Sequence, residues 1–287
     1  MLKKIVLVLL VGCLAWAYQA TRPPPPKICG SPGGPPITSS RIKLRDGRHL
    51  AYAEHGVPKD MAKYKIIFAH GFGSSRDDAS IATLVVFGCL KYIPHRLVGA
   101  ALIAPVVNYW WSGFPKNLSV KAYYEQYPQD QWALRVAHYT PWLTYWWNTQ
   151  KWFPASSAIA RKPKFSHQDL EIMSKFAGRQ SSKTLPTQQG KFESIHRDMM
   201  VGFGSWEFDV MEIKNPFANT AGSVYLWQGD EDGIVPVTLQ RYIAGRLPWI
   251  QSDEIAGGGH LFPYSNGIRE AIMRAFLVGE KLPTVDS

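Results

Sequence analysis

The chain has 287 residues, 46% hydrophobic and 19% charged. That is enough apolar material for a sizeable core, and it excludes a disordered chain, a coiled coil and a disulfide-stapled miniprotein. Cys13, Cys29 and Cys89 show neither metal-ligand spacing nor a disulfide framework, so redox and metal chemistry are not indicated and no cofactor is expected. The formal charge is +10, from 32 Lys and Arg against 22 Asp and Glu. The basic residues are dispersed and no zinc-finger, RNP or helix-turn-helix pattern accompanies them, so an anionic lipid surface fits the charge better than nucleic acid does.

Lys3 and Lys4 precede an uninterrupted apolar run from Ile5 to Tyr18, and the proline-rich stretch Thr21 to Pro26 follows. This is a secretory-pathway address. Fourteen residues rise about 21 Å as a helix, short of the ~30 Å hydrocarbon core unless Gln19 and Ala20 also enter it. Ala15-Trp16-Ala17 offers a cleavage pattern that would release a secreted protein. Trp16 and Tyr18, in contrast, suit the interfacial anchors of a retained signal-anchor, which is the reading preferred here. Residues 1–20 are therefore expected to be a membrane segment, 21–40 a Pro/Gly-rich tether and 41–287 the folded domain.

Within the domain, Ile42 to Ala53 alternates around Asp46-Gly47 and predicts a hairpin. Lys65 to Ala69 is a short apolar run leading into His70-Gly71-Phe72-Gly73, which predicts a buried strand and a glycine-bearing loop. Leu84 to Ile93 predicts a helix stopped by Pro94. Val98 to Ala104 and Val224 to Trp227 predict further buried strands, and Ile250 to Ile255 reads as strand-like. Pro236 to Leu247 and Ile268 to Leu277 have helical spacing. Alternating strands and helices predict an α/β fold, with a mostly parallel sheet covered by helices on both faces.

Between Asn108 and Gly222 no strand is evident, and seven of the eleven tryptophans fall from Trp110 to Trp152. The segment is too long for a loop and predicts a helical cap. Ser166 with Asp169 resembles a capping box, and Gly178 would close that helix. Packing of cap on core is the first explanation of the aromatics; a lipophilic pocket involving Trp146 and Trp147 is the second.

Gly229-Asp230-Glu231-Asp232-Gly233 puts carboxylates directly after a buried strand, where open α/β sheets keep their sites, and His260 follows in the glycine-rich loop Gly257-Gly258-Gly259. An acid and then a histidine on successive strand-end loops have the order of the orienting carboxylate and general base of a Ser-His-Asp hydrolase. With HGFGSSRDDAS, CLKYIPHRL, NYWW, LWQGDEDGIVPVTLQRYIA and GGGHLFPY, residues 41–278 resemble the α/β-hydrolases, in particular the plant branch with an N-terminal membrane segment. The resemblance implies a serine esterase or lipase acting on a lipophilic ester. It assigns Asp232 as the triad acid, His260 as the base, and Phe72, with Gly71, to the oxyanion loop.

The nucleophile motif G-x-S-x-G is absent from the whole chain. Two further strand–helix units, on the order of 60 residues, belong between the His70-Gly71 loop and the strand at Val98, but only 26 residues run from Phe72 to Leu97. The chain therefore reads as a truncated or incorrectly spliced hydrolase without activity, or as a hydrolase-like binding or regulatory protein at a membrane. Direct closure of 65–69, 84–93 and 98–104 into one βαβ unit is the arrangement expected if the sheet reseals. Cys89, Asp77, Asp78, Ser74 and Ser75 are poor substitutes for the serine. Asn117-Leu118-Ser119 is a glycosylation sequon that would be used only on a lumenal domain.

Overall fold

The computed structural model describes residues 1–58, 60–69, 71–72, 84–160, 162–176, 190 and 192–280. Helix α1 (Leu2–Thr21) has no buried residue. It ends where Pro23 excludes the preceding residue from helical geometry, and Arg22 is extended at φ −72° and ψ 143°. Twenty helical residues rise about 30 Å, so α1 is long and apolar enough to cross a membrane. The tether beyond it makes a tight turn in which the Gly30 N–H donates to the Pro35 carbonyl at 2.8 Å.

The hairpin forms from β1 (Ser40–Lys43) and β2 (His49–Tyr52), antiparallel with Ile42 opposite Leu50. Asp46 accepts from the Arg48 N–H at 3.0 Å, and Gly47 takes φ +86°, a conformation that costs a side-chain-free residue nothing. Ile42 and Leu50 are exposed, and the hairpin is a sheet of its own.

Helix α2 (Leu84–Tyr92) stops before Pro94 and leads into the main sheet. That sheet comprises β3 (Gly99–Ile103), β4 (Ser223–Gly229) and β5 (Ile250–Ile255), all parallel in the order β3-β4-β5, with Leu102 opposite Leu226 and Leu226 opposite Ser252. The two-residue period of a strand sorts the core. Ala100, Leu102, Val224 and Leu226 pack with Phe87 and Leu90 of α2 and with Leu239 and Ile243 further along the chain. Ala101, Ile103, Tyr225 and Trp227 face the opposite way, toward Phe262, Ile272 and Ala275. Both faces of the sheet are covered, so the architecture is α/β with a parallel sheet between helices.

One expected strand is missing. Lys65 to Ala69 pairs with nothing in the sheet, and Ile67 is 93% exposed. The expected closure of 65–69 onto 98–104 does not form. An apolar run becomes a buried strand only where a neighbour accepts its N–H and C=O groups, and among the described residues no strand lies beside this one.

The connection from β3 to β4 contains α3 (Lys116–Tyr124), α4 (Pro128–Tyr139), α5 (Thr144–Thr149), α6 (Ser157–Ala160), α7 (His167–Phe176) and α8 (Glu193–Phe203), and among the described residues it holds no strand. Proline at the first position of α4 costs no hydrogen bond. At the start of α7 the capping box is present: Asp169 N–H donates to Ser166 Oγ at 3.2 Å, and Ser166 N–H donates to Asp169 Oδ2 at 2.9 Å. Gly178 lies outside the described residues. Ala133, Ala137 and Met199 form a small core between α4 and α8, with Trp147 and Phe72 packed on it. Helix α9 (Val237–Arg246) joins β4 to β5, and α10 (Ile268–Val278) follows β5.

Candidate active site

The parallel strands β4 and β5 end side by side, and the loops that leave them are tied together through backbone. The Asp230 N–H donates to the Ile255 carbonyl at 3.3 Å and the Glu231 N–H to the Gly258 carbonyl at 2.9 Å. This approach requires glycine at position 229, where a Cβ would stand 2.1 Å from the Gly258 oxygen.

The turn after β4 buries the Asp232 carboxylate, whose side chain is fully inaccessible. Its Oδ1 accepts from the N–H groups of Ile234 at 2.8 Å and Val235 at 2.9 Å, and its Oδ2 accepts from Gln228 Nε2 at 2.9 Å and His260 Nδ1 at 2.8 Å. Four donors occupy the positions that two carboxylate oxygens offer, which is what keeps a buried charge tolerable. Burial opposes ionisation of Asp232, but the charge and hydrogen bond of His260 and the two backbone donors outweigh it, and its pKa lies below the ordinary value of 3.8. Burial likewise opposes charging of His260. The Asp232 carboxylate and, more weakly, Asp169 prevail, and the ring titrates above 6.5. Since Asp232 can only accept, it fixes the proton on Nδ1 and leaves Nε2 as the lone-pair position of the neutral ring.

The histidine loop is held from its other side by α7. Asp169, fully buried, accepts from the backbone N–H of His260 at 3.1 Å and of Leu261 at 2.6 Å, while Gln168 Oε1 accepts from the Gly259 N–H at 2.9 Å. One carboxylate therefore caps a helix and clamps the loop. Gly259 permits the contact, because a Cβ there would lie 2.1 Å from Ser166 Oγ and 2.4 Å from Asp169 Cγ.

Asp232 and His260, read from the sequence on successive strand-end loops, are thus in direct contact. Gly71 is half-buried and Phe72 packs against the α4–α8 core. Trp146 and Trp147 contact each other; Trp146 also touches Trp152, and Trp147 touches Trp132 and Phe153. No described contact joins them to Asp232 or His260. His70, Ser74, Ser75, Asp77 and Asp78 lie outside the described residues. Cys89 is on α2, and burial pushes its thiol up, away from the thiolate form. Ser119 of the sequon is buried in α3. Two contributors went unread in the sequence. Gln228, fully buried, signals itself only as a polar residue closing an apolar strand. Asp169 signals its capping role but not its hold on a loop 91 residues away.

Among the described residues no group of His, Cys, Asp and Glu is arranged to hold a metal. Asp232, with Gln228 and two amides behind it, can orient His260 and stabilise its charged form. His260 can in turn take up or release a proton at Nε2.

No protein-family description and no curated protein matches the chain. Among solved structures, a protein described as a putative non-heme bromoperoxidase, from Mycobacterium tuberculosis, is 15% identical, with a TM-score of 0.38, over 68% of this chain and 63% of that one. A second protein of the same organism is 15% identical, with a TM-score of 0.40, over 69% and 62%. An α/β-hydrolase enzyme from a Medee basin deep-sea metagenome library is 13% identical, with a TM-score of 0.40, over 73% and 70%. The chain spans less than two thirds of the length of the first two. The chain has an α/β fold in which a buried aspartate pairs with a partly buried histidine at the carboxyl ends of the parallel strands.

Proposed function

We propose that this chain is a membrane-tethered α/β-hydrolase-type protein, of the serine esterase or lipase kind, that carries the acid–base pair and lacks the nucleophile. The observation that carries this is the 2.8 Å contact of His260 Nδ1 with a fully buried, four-fold hydrogen-bonded Asp232 on the neighbouring strand-end loop. Such a pair withdraws a proton from a hydroxyl held at Nε2 and returns it to a leaving group. No G-x-S-x-G serine exists in the sequence to supply that hydroxyl, and loss of the serine alone removes nearly all of a triad's contribution. The ancestral substrate is a lipophilic ester, received beneath a cap formed by about 108–222, with Trp146 and Trp147 toward the acyl chain and the Gly71-Phe72 loop donating N–H groups. The apolar helix α1 is a retained signal-anchor of the endomembrane system, and residues 21–40 tether the domain to it. The lineage is the plant branch with such an anchor, and this chain is a truncated form of it.

A reporter-bearing fluorophosphonate tests the catalytic half directly. The full chain in detergent is incubated with the probe and its intact mass measured. No adduct is expected. An adduct that maps to one serine or cysteine and disappears in His260→Ala would reveal a working nucleophile and overturn the proposal.

A further inference from the structure

The α4–α6 side of the helical connection leaves unusually large aromatics uncovered: Trp132 is 54% exposed, Trp142 53% and Trp152 78%, with Phe153 and Tyr124 exposed as well. Trp132, Trp152 and Phe153 are linked through Trp146 and Trp147. Trp152 meets Trp146, which meets Trp147, and Trp147 stacks on Phe153 and contacts Trp132. Arg135 lies over the rings of both Trp132 and Tyr124. Large apolar surface of this kind needs an occupant.

Two observations select that occupant. The first is position: Tyr18, in the last turn of α1, sits against Trp142 with ring centroids 6.3 Å apart, and α1 touches α5, which carries Trp146 and Trp147, so the aromatics lie beside the end of a helix long and apolar enough to span a bilayer. The second is charge: from Lys116 to Lys164 there are seven Lys or Arg against only Glu125 and Asp130. Trp and Tyr prefer the headgroup level of a bilayer, and basic residues beside them are drawn to anionic lipid. We infer that this aromatic, basic face lies on the membrane from which α1 emerges, with Trp132, Trp142 and Trp152 immersed among anionic headgroups. The inference rests on the reading of α1 as a retained anchor, and the two are tested separately.

The full chain is reconstituted into vesicles of phosphatidylcholine and phosphatidylserine at 3:1, with and without a lipid carrying a doxyl quencher near the headgroup. Wild type is compared with a Trp142→Ser/Trp152→Ser variant, both sites being surface positions. Four exposed tryptophans, Trp16, Trp132, Trp142 and Trp152, can reach lipid, so the doxyl-quenched signal is expected to fall by about half in the variant. Equal quenched signals in the two proteins would place the patch in water or against another protein and overturn the docking surface, as would protection from aqueous iodide that depends on protein concentration instead of lipid. Quenching is read before an alkaline carbonate wash. Release of the chain by that wash overturns the anchor reading alone, since the quenching comparison has already decided the patch.

Discussion

Replacing Asp232 by Ala removes the acceptor for four donors at once: the Ile234 and Val235 amides, Gln228 Nε2 and His260 Nδ1. A buried donor left without a partner costs ~1–3 kcal/mol, and breaking a buried pair by removing one member typically costs about 3–5 kcal/mol once the surroundings relax. The expected loss is therefore about 3–5 kcal/mol, a large share of the ~5–15 kcal/mol of a typical domain. Asp232→Asn keeps a carbonyl for the two amides but turns an NH2 group toward two other donors, so it should fall between wild type and Ala. Urea unfolding of the full chain in detergent micelles measures the loss, and NMR titration of the His260 ring measures the coupling. With the carboxylate gone, the largest influences left are burial, which lowers the ring's pKa, and the weaker Asp169 charge, so the titration should move down. A loss under ~1 kcal/mol together with an unmoved His260 titration would refute the reasoning that Asp232 is a buried charge held by these four donors.

Further outcomes follow from the same contacts. The pair makes stability depend on pH: the His260 contribution is complete below its ordinary 6.5 and lost as pH rises through the raised folded value, while that of Asp232 is complete above 3.8 and lost as pH falls through the depressed one. The urea midpoint should plateau between the ordinary values, 3.8 and 6.5, and Asp232→Ala should flatten the curve; an equal pH dependence in both proteins would contradict the pairing. Asp169→Asn has one fewer acceptor for the three N–H groups it serves, so a cost of ~1–3 kcal/mol is expected, with faster hydrogen exchange at His260 and Leu261; unchanged exchange there would remove the clamp. Gly259→Ala should shift the histidine loop and destabilise, whereas at Gly245, where a Cβ meets nothing, Ala should stabilise α9 by about 0.5–1 kcal/mol. The Ile67 amide should exchange within the dead time while Leu226 is protected; protection of Ile67 would restore the missing strand.

The sequence was most legible where local chemistry and burial agree. The Val98, Val224 and Ile250 runs lie within a few residues of β3, β4 and β5, the Asp-Gly turn makes the hairpin, and Ser166 and Asp169 form the box their spacing suggests. Lys65 to Ala69 is not a strand because among the described residues no partner pairs with it: apolar composition favours a strand, but only a ladder makes one. The hairpin's alternation likewise carried no news of its exposure, since among the described residues it pairs with no other strand. Gln228 and the second role of Asp169 are contacts across the fold that no periodicity encodes. The tryptophans divided in a way spacing could not forecast, with Trp111 and Trp227 in the core and Trp132, Trp142 and Trp152 on the surface.

The proposed function requires that His260 and Asp232 have no nucleophile to activate. Hydrolysis of p-nitrophenyl esters of short and medium acyl chains by the purified full chain, compared with His260→Ala, tests it most directly. The account predicts the same rate for both proteins, no faster than a histidine-independent background. Turnover by wild type that His260→Ala abolishes would contradict it.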